Sequence, residues 1–292
     1  MTRTAIFRSP AGATAVDRAY EEFLREELPE AEARHLPTSL GPTYVISAGP
    51  PGAPPVVLLP GSGGTALNWA RELCGGAVDY RLHALDLPGE PGRTAPVRMP
   101  LDSPDHARWL TELTGALAAT PALVVGASLG GFLATDYAIR RPERITGLLL
   151  ISPSGLGRRR IAPLLVAAAL GQLGDRGRRA ALGRLLGPGA TLGSDLTAER
   201  LGRLALLIFA HFRPRTDRLP RFDDRQLAGL RAPVHLVCGA EDALLAGPGT
   251  VRRAERLIPH CRAELLPQTG HLIPDQLARV YAFLDDGRRL SR

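Results

Sequence analysis

The sequence contains no lysine and a single asparagine, Asn68, so its net charge of +7 comes entirely from arginine. This bias is typical of the coding preference of a GC-rich bacterial genome. We interpret the arginine clusters at 158–160 and 176–179 as solvated faces, with contact to an anionic surface or substrate group as the alternative. No nucleic-acid-binding motif is present, so we expect no nucleic-acid partner.

Long apolar runs and cysteine are also scarce. No stretch of 18 apolar residues exists and the N-terminus lacks a secretory apolar core, so we expect no membrane span and a cytoplasmic location. The three cysteines are widely spaced, which favours free thiols over a disulfide framework or a zinc site. No histidine or carboxylate pair has metal-ligand spacing, so we expect neither a metal nor a cofactor.

The most informative stretch is Pro121-Ala-Leu-Val-Val-Gly-Ala-Ser-Leu-Gly-Gly131. Its apolar run predicts a buried strand, and the apolar residues after it recur at helical spacing. Between them, Gly126-Ala127-Ser128-Leu129-Gly130 matches G-x-S-x-G, in which small neighbours let a strand turn sharply into a helix. The pattern predicts an exposed Ser128 hydroxyl at a helix N-terminus. The alternative is a glycine-rich turn in which the serine has no catalytic role.

Strands and helices alternate through most of the 292 residues. Stretches rich in apolar residues predict strands near residues 56–59, 80–87, 123–125, 145–152, 233–238 and 262–267, with an edge strand at 43–47. Helices are predicted near 13–28, 104–119 and 274–286. This alternation indicates an α/β fold with a mostly parallel central sheet flanked by helices.

The alternation stops after Ser152. Residues 155–230 contain helical patterns at 161–173, 177–186 and 197–212, and we interpret this insertion as a helical lid (cap) over the carboxyl ends of the strands. The alternative is an insertion without contact to substrate. The predicted organisation is therefore an N-terminal helical segment at 1–40, a core at 41–154 and 231–292, and the lid at 155–230.

A glycine-rich loop, Pro60-Gly61-Ser62-Gly63-Gly64-Thr65, follows the strand at 56–59. Such a loop brings backbone N–H groups close to a ligand. It lacks the spacing of either phosphate-binding glycine motif, which favours an oxyanion hole instead. The predicted donors are the backbone N–H groups of Ser62 and of Leu129, the residue after the nucleophile.

A serine hydroxyl needs a base, and that base needs an orienting acid. Ser128, Asp242 and His271 each come just after a predicted strand, and the carboxyl ends of parallel strands meet at one edge of the sheet. Glu241 is a rival for the acid. The sequence therefore predicts a catalytic triad of Ser128, His271 and Asp242.

These motifs resemble the serine-nucleophile branch of the α/β-hydrolase superfamily from about residue 40 onward. Gly126-Ala-Ser-Leu-Gly130 resembles the nucleophile elbow, Gly239-Ala-Glu-Asp242 the acid turn and Gly270-His271 the histidine loop. Asp86-Leu-Pro-Gly-Glu-Pro-Gly-Arg-Thr94 resembles the D-x-x-G-x-G-x-S segment with one extra residue, a version that looks most like small bacterial carboxylesterases. Pro60 departs from the family, which usually has histidine before the oxyanion glycine.

The resemblance implies an α/β-hydrolase fold with a lid inserted before the acid-bearing strand, and a carboxylic ester hydrolase that acts on a small-molecule ester or thioester. An acyltransferase, a perhydrolase or a C–C hydrolase using the same triad is the first alternative, and a non-catalytic ligand-binding protein is the second. The sequence does not indicate the oligomeric state. Candidate pocket-lining residues, for each of which a packing or surface role is the alternative, are Trp69, Phe209, His211 and Phe212.

Overall fold

The computed structural model of the protein describes residues 3–75, 79–117, 121–187, 195–274 and 276–290. The strands are β1 (Glu32–Leu36), β2 (Thr43–Ala48), β3 (Pro55–Leu59), β4 (Arg81–Leu85), β5 (Ala122–Ala127), β6 (Ile145–Ile151), β7 (Val234–Gly239) and β8 (Cys261–Leu266). The α-helices are α1 (Pro10–Glu27), α2 (Ala70–Cys74), α3 (Asp105–Leu117), α4 (Leu129–Arg140), α5 (Ala162–Gly171), α6 (Gly174–Leu186), α7 (Leu196–His211), α8 (Asp224–Ala228), α9 (Gly247–Leu257) and α10 (Gln276–Leu290).

The strands form one sheet in the order β1-β2-β4-β3-β5-β6-β7-β8. β2 pairs antiparallel with both β1 and β4, and all other neighbouring pairs are parallel. This confirms the predicted α/β class and the mostly parallel sheet. The carboxyl ends of β3, β5, β7 and β8 consequently lie along one edge of the sheet.

Helices cover both faces of the sheet, which explains the continuous apolar runs of its strands. Successive residues of a strand point to opposite faces. In β3, Val57 and Leu59 belong to the core that contains residues of α3, α4 and α9, whereas Val56 and Leu58 belong to the core with residues of α1, α2 and α10. Burial of a strand on two faces therefore produces an unbroken apolar run.

Two elements are absent from the sequence-based expectations. Residues 32–36 form β1, which the sequence patterns do not predict because its side chains are mostly exposed and carry no apolar alternation. Helix α9 begins with Gly247-Pro-Gly249, residues that favour turns, although proline is well tolerated in the first turn of a helix. Of the helix predicted at 104–119, residues 105–117 form α3, and residues 118 and 119 lie outside the described residues.

The insertion between β6 and β7 contains α5, α6 and α7, close to the predicted helix bounds. Its contacts reach the loops that follow β7 and β8. The Leu186 carbonyl accepts the N–H of Leu272 at 3.0 Å, and the Arg160 N–H donates to the Leu244 carbonyl at 2.8 Å. Asp223 and Gln226 form a capping box at the start of α8, the helix that returns the chain to the sheet.

The N-terminal segment packs against α7. The Arg8 N–H donates to the His211 carbonyl at 2.7 Å, and the rings of Phe7 and Phe212 lie edge to face with centroids 6.0 Å apart. The N-terminal helix α1 therefore contacts the insertion as well as the core. Within the described residues, no helix combines the length and apolar character needed to cross a membrane.

Candidate active site

Ser128 occupies the sharp turn between β5 and α4. Its φ of 50° and ψ of −109° lie in a region that non-glycine residues rarely adopt. The Ser128 N–H donates to the Ile151 carbonyl at 2.9 Å, and the Ser128 carbonyl accepts the Ser154 N–H at 3.0 Å. These contacts with the end of β6 and the residues after it hold the turn in its unfavourable conformation.

The two glycines of the motif leave no room for side chains. A Cβ at Gly126 would lie 2.5 Å from the Gly130 carbonyl oxygen, and a Cβ at Gly130 would lie 2.2 Å from the Leu59 carbonyl oxygen. Both contacts are with backbone, which cannot move aside as a flexible side chain can. Glycine at these positions therefore permits the close passage of strand and helix that exposes the serine.

Asp242 and His271 meet beyond the ends of β7 and β8. Asp242 Oδ2 accepts a hydrogen bond from His271 Nδ1 at 2.7 Å. Asp242 Oδ1 accepts the N–H groups of Leu244 and Leu245 at 2.7 and 2.9 Å. The carboxyl is 1% exposed, and each of its oxygens accepts at least one hydrogen bond. With Nδ1 donating, a neutral His271 has its lone pair on Nε2, the atom that a general base uses.

Neither Glu241, the rival acid, nor Ser128, the nucleophile, is hydrogen-bonded to His271 among the described residues. Glu241 is exposed, and its backbone N–H donates to the Thr269 carbonyl at 2.9 Å. Among the hydrogen bonds of the described residues there is none between Ser128 and His271. In enzymes without bound substrate, the hydrogen bond between nucleophile and base is often long or poorly aligned, and it tightens in the complex. The structure thus joins the predicted acid and base.

The loop at 61–64 lies beside Ser128. A Cβ on Gly61 would be 3.2 Å from Ser128 Cβ, and the Gly64 N–H donates to the Gly61 carbonyl at 3.0 Å. The backbone N–H groups of Ser62 and Leu129 have no protein acceptor in the part of the chain that the structure describes. Leu129 also begins α4, so its N–H lies at the positive end of the helix dipole.

Two buried carboxylates support this loop, and sequence reasoning assigned neither a role. Asp86 Oδ1 accepts the Ala66 N–H at 2.7 Å, and Glu90 Oε2 accepts the Gly63 N–H at 2.7 Å and the Ser62 hydroxyl at 3.2 Å. Both acids belong to the segment after β4 that carries the family resemblance. The available signal was the presence of two acids among the glycines and prolines that follow a buried strand.

The four candidate pocket residues do not share one set of surroundings. Trp69 is 1% exposed in the core beside α1 and α2. Phe212 packs against Phe7, and the His211 ring lies against Gly12, so both contact the N-terminal segment. The Phe209 ring lies against Gly171 within the insertion. A pocket-lining role for these four residues stays a prediction.

All three cysteines are free thiols, with Cys74 exposed and Cys238 buried. Burial raises the pKa of Cys238 to about 12, with a smaller contribution from the nearby Asp242 charge, so this thiol stays protonated at neutral pH. Arg160 Nη1 donates to the Asp242 carbonyl at 3.2 Å. No group of three or more metal-ligating side chains occurs within the described residues.

This combination of a strained serine turn, an acid–histidine pair and a glycine-rich loop at one sheet edge agrees with a comparison of the whole sequence. The sequence model of the alpha/beta hydrolase family matches residues 56–283. The chain belongs to this family. The match includes the serine turn, the acid turn and the histidine loop, so the family relationship extends to the site as well as to the core.

Similar proteins cover nearly the whole chain. Carboxylesterase YbfK of Bacillus subtilis (strain 168) is 26% identical over 277 residues, which are 92% of this chain and 93% of the relative. A pimeloyl-[acyl-carrier protein] methyl ester esterase of Chromobacterium violaceum is 30% identical over 232 residues, covering 75% and 87%. The crystal structure of naproxen esterase (carboxylesterase NP) from Bacillus subtilis has a TM-score of 0.80 at 22% identity, covering 96% of this chain and 98% of that chain.

Proposed function

We propose that the protein is a serine hydrolase that cleaves a carboxylic ester through an acyl-enzyme. The observation that carries the proposal is the 2.7 Å hydrogen bond between the buried Asp242 and His271, at the sheet edge where the strained Ser128 turn lies. The names of the similar proteins, carboxylesterases and a methyl ester esterase, support an ester as the substrate.

In the acylation step, Ser128 Oγ attacks the ester carbonyl carbon while His271 Nε2 removes the hydroxyl proton. The negative charge that develops on the carbonyl oxygen is stabilised by the N–H groups of Ser62 and Leu129. Asp242 holds the His271 ring and stabilises the imidazolium that forms. The imidazolium then protonates the leaving alcohol as the ester C–O bond breaks, which leaves an acyl group on Ser128.

In the deacylation step, His271 removes a proton from water, and the resulting hydroxide equivalent attacks the acyl carbonyl carbon. The same N–H groups stabilise the second tetrahedral intermediate. Its collapse returns the proton from His271 to Ser128 Oγ and releases the carboxylic acid. No metal ion or organic cofactor has a role in this sequence of steps, which consumes one water for each ester.

We also propose that the insertion at 155–230 acts as a lid and sets substrate preference. Its support is the proximity of α6 to the histidine loop, where Gly187 lies so near Gly270 that a Cβ on Gly187 would be 2.7 Å from the Gly270 Cα. Trp69, Phe209, His211 and Phe212 remain the candidates to line the pocket. The segment at 1–40 serves as a support that packs against the core and the lid.

We assign the protein to the cytoplasm and a small-molecule ester as its partner. The exposed free thiol of Cys74 supports a reducing compartment, because such thiols oxidise readily outside one. The arginine-rich insertion is the feature most easily mistaken for a nucleic-acid surface. We assign it instead to the solvated outer face of the lid, so no nucleic-acid partner is part of the proposal.

The test is labelling with a fluorophosphonate, with peptide mass spectrometry to locate the adduct, alongside hydrolysis of p-nitrophenyl esters of increasing acyl length. We expect the adduct on Ser128, and the Ser128→Ala variant should lose about 10⁶-fold in kcat, as in other triad enzymes. The exposed Ser39 provides a matched control, and Ser39→Ala should keep the wild-type rate.

Several outcomes would overturn the proposal. A Ser128→Ala variant that keeps most of the esterase rate would remove Ser128 from the chemistry. An adduct without ester turnover would favour acyl transfer, perhydrolysis or C–C hydrolysis, and product analysis with an alcohol acceptor or peroxide would separate these reactions. Ligand binding without an adduct would favour a binding protein.

A further inference from the structure

Glu90 is a buried acid beside the oxyanion loop. It lies in the segment after β4, and its side chain and backbone together are 0% exposed. The residue before it, Gly89, has a φ of +71°, and a Cβ there would lie 2.9 Å from the Val97 carbonyl oxygen. The Gly89 carbonyl accepts Arg98 Nε at 3.1 Å, and the Glu90 N–H donates to the Leu87 carbonyl at 3.2 Å. The backbone therefore holds the Glu90 side chain in one place.

One oxygen of the Glu90 carboxyl group contacts the oxyanion loop. Oε2 accepts both the Gly63 N–H at 2.7 Å and the Ser62 hydroxyl at 3.2 Å, whereas Oε1 is buried without a partner among the described residues. Burial raises the pKa of Glu90, and the hydrogen bond from Gly63 and the charges of Arg215 and Arg98 oppose that rise. A buried, half-satisfied acid is costly for stability, which indicates a role other than packing.

The conformation of the loop shows what the Gly63 hydrogen bond controls. Residues 61–64 form a turn closed by the Gly64 N–H and the Gly61 carbonyl, and Gly63, the third residue, has a φ of +73°. A positive φ at this position is the mark of a type II turn. Type I and type II turns differ in the orientation of their central peptide, which here joins Ser62 and Gly63. The Gly63 N–H belongs to that peptide, so Glu90 holds its orientation.

Ser62 contributes to two consecutive peptide groups of the turn. Its own N–H is the proposed oxyanion donor, and its carbonyl belongs to the central peptide. Rotation of the central peptide would change ψ of Ser62 and would point the Ser62 carbonyl oxygen, in place of the Gly63 N–H, at the Glu90 carboxyl group. A donor is effective only when it lies about 2.7–3.1 Å from the oxyanion, so a small rotation of the turn matters.

The far end of the loop is held separately. Asp86 Oδ1 accepts the Ala66 N–H at 2.7 Å, and Asn68 Oδ1 accepts the Thr65 N–H at 2.7 Å. These contacts fix residues 65 and 66, three or more positions beyond Ser62. They do not involve the turn at 61–64, which Glu90 contacts directly. Removal of the Glu90 side chain should therefore affect the position of the Ser62 N–H more than removal of the other contacts.

From these contacts we propose that Glu90 is a positioning residue, which holds the turn at 61–64 so that the Ser62 N–H is directed at the oxyanion. The proposal rests on the serine hydrolase function given above. Glu90 takes no part in bond making or breaking, and it acts through the Gly63 N–H and the Ser62 hydroxyl. Its contribution should therefore appear in the transition state, where the oxyanion has formed, and not in the binding of the ester.

The test compares Glu90→Gln with Glu90→Met. Both variants remove the ionisable carboxyl group and nearly preserve side-chain volume, but only glutamine keeps an oxygen that can accept the Gly63 N–H. Glu90→Met should lower kcat about 10- to 100-fold with KM nearly unchanged, somewhat less than the loss of a whole oxyanion donor, and Glu90→Gln should stay within about threefold of wild type. Affinity for a trifluoromethyl ketone, which forms a tetrahedral oxyanion adduct, should fall in parallel with kcat/KM.

A second buried glutamate supplies the control. Glu72 on α2 is 2% exposed and lies outside the site, so Glu72→Gln and Glu72→Met should leave kcat and inhibitor affinity at wild-type values. Equal losses in Glu90→Gln and Glu90→Met, or wild-type kcat in Glu90→Met, would overturn the positioning role. With Ser128→Ala inactive in the same assay, such results would leave the hydrolase function intact, whereas an active Ser128→Ala would overturn both proposals.

Discussion

At the residue scale, Asp242 has the most fully determined surroundings of the candidate site. One carboxylate oxygen accepts two backbone N–H groups and the other accepts His271 Nδ1. The carboxyl therefore has a donor on each oxygen, and His271 is held in the tautomer that leaves Nε2 free to accept a proton. Glu241, the neighbouring acid, is exposed and lacks these contacts among the described residues.

The two acids can be separated by a matched pair of amide substitutions. Asp242→Asn should lower kcat about 10³- to 10⁴-fold, because an amide can hold His271 in the wrong tautomer and cannot stabilise the imidazolium. Glu241→Gln should keep kcat within about twofold of wild type. The measurement is kcat for a p-nitrophenyl ester with both variants checked for folding by circular dichroism. If Glu241→Gln lowered kcat more than Asp242→Asn does, Glu241 and not Asp242 would be the acid that orients His271.

Residues at strand ends are the ones that the sequence predicts best. Ser128, Asp242 and His271 each follow a recognisable apolar run, and a parallel sheet brings such positions to one edge. Glu90 could not be found in this way, because its contact with Gly63 spans 27 residues and depends on how two loops pack. The sequence favours Asp242 over Glu241 as the acid, and the hydrogen bond from His271 to Asp242 agrees with that choice.

At the element scale, the pairing of α1 with α7 connects the N-terminal segment to the insertion. Arg200 on α7 binds Glu26 at 2.6 Å and Glu27 at 2.5 Å, and the Thr197 hydroxyl also donates to Glu27. The Arg200 side chain is 28% exposed, so its ion pairs are better shielded from solvent than typical surface pairs. These contacts fix one helix of the proposed lid on a support outside the sheet.

Arg200→Ala should therefore lower the free energy of unfolding by about 1 kcal/mol at low salt, and by less at high salt because ions screen the pairs. Arg203 on the same helix is the control. Its side chain is 70% exposed and, among the described residues, pairs only with Glu199 of α7, so Arg203→Ala should cost less than about 0.5 kcal/mol. Urea unfolding at two salt concentrations measures both. Equal effects of the two substitutions would mean that the bridge between the helices adds nothing.

Strand β1 and helix α9 escape prediction from the sequence for two different physical reasons. Strand β1 is exposed along its length and has no buried face to impose an apolar pattern, and α9 starts with glycine and proline. The strands buried on two faces and the helices with one apolar face were predicted close to their observed bounds, because burial itself creates the periodic pattern.

At the scale of the whole molecule, burial of ionisable groups on both faces of the sheet makes stability depend on pH. Burial lowers the pKa of His83 on β4 and of His106 on α3 to about 4, with smaller contributions from nearby arginines. Burial raises the pKa of Glu72 on α2 to about 7. The histidines are neutral and the glutamate is mainly protonated in the folded protein near pH 6.

These shifts predict a loss of stability on acidification. Between pH 6.5 and about 4.5 the unfolded chain gains a proton on each histidine that the folded chain does not, whereas the folded chain alone carries the Glu72 proton. The net difference is about one proton, so these groups lower the free energy of unfolding by about 1.4 kcal/mol for each pH unit of acidification. Urea midpoints measured across this range test the slope.

The matched variant for this prediction is His106→Gln, which removes one of the two histidines. Between pH 6.5 and about 4.5, it should reduce the contribution of these groups to the pH dependence of the free energy of unfolding to near zero. The reason is that the remaining histidine and Glu72 then have opposite effects. Glu72→Gln should steepen the slope. An unchanged slope in His106→Gln would show that this histidine is accessible to protons in the folded state.

The open sheet has a further consequence for the behaviour of the protein in concentrated solution. Within the part of the chain that the structure describes, its two outermost strands, β1 and β8, each present one row of backbone groups without a neighbouring strand. Exposed Glu32 and Arg34 lie on β1, and exposed Arg262 and Glu264 lie on β8, where Glu264 binds Arg279 of α10. Charged side chains on outer strands disfavour the addition of a strand from another molecule. The polar side chains that give β1 no apolar pattern in the sequence thus disfavour edge-to-edge aggregation of the protein.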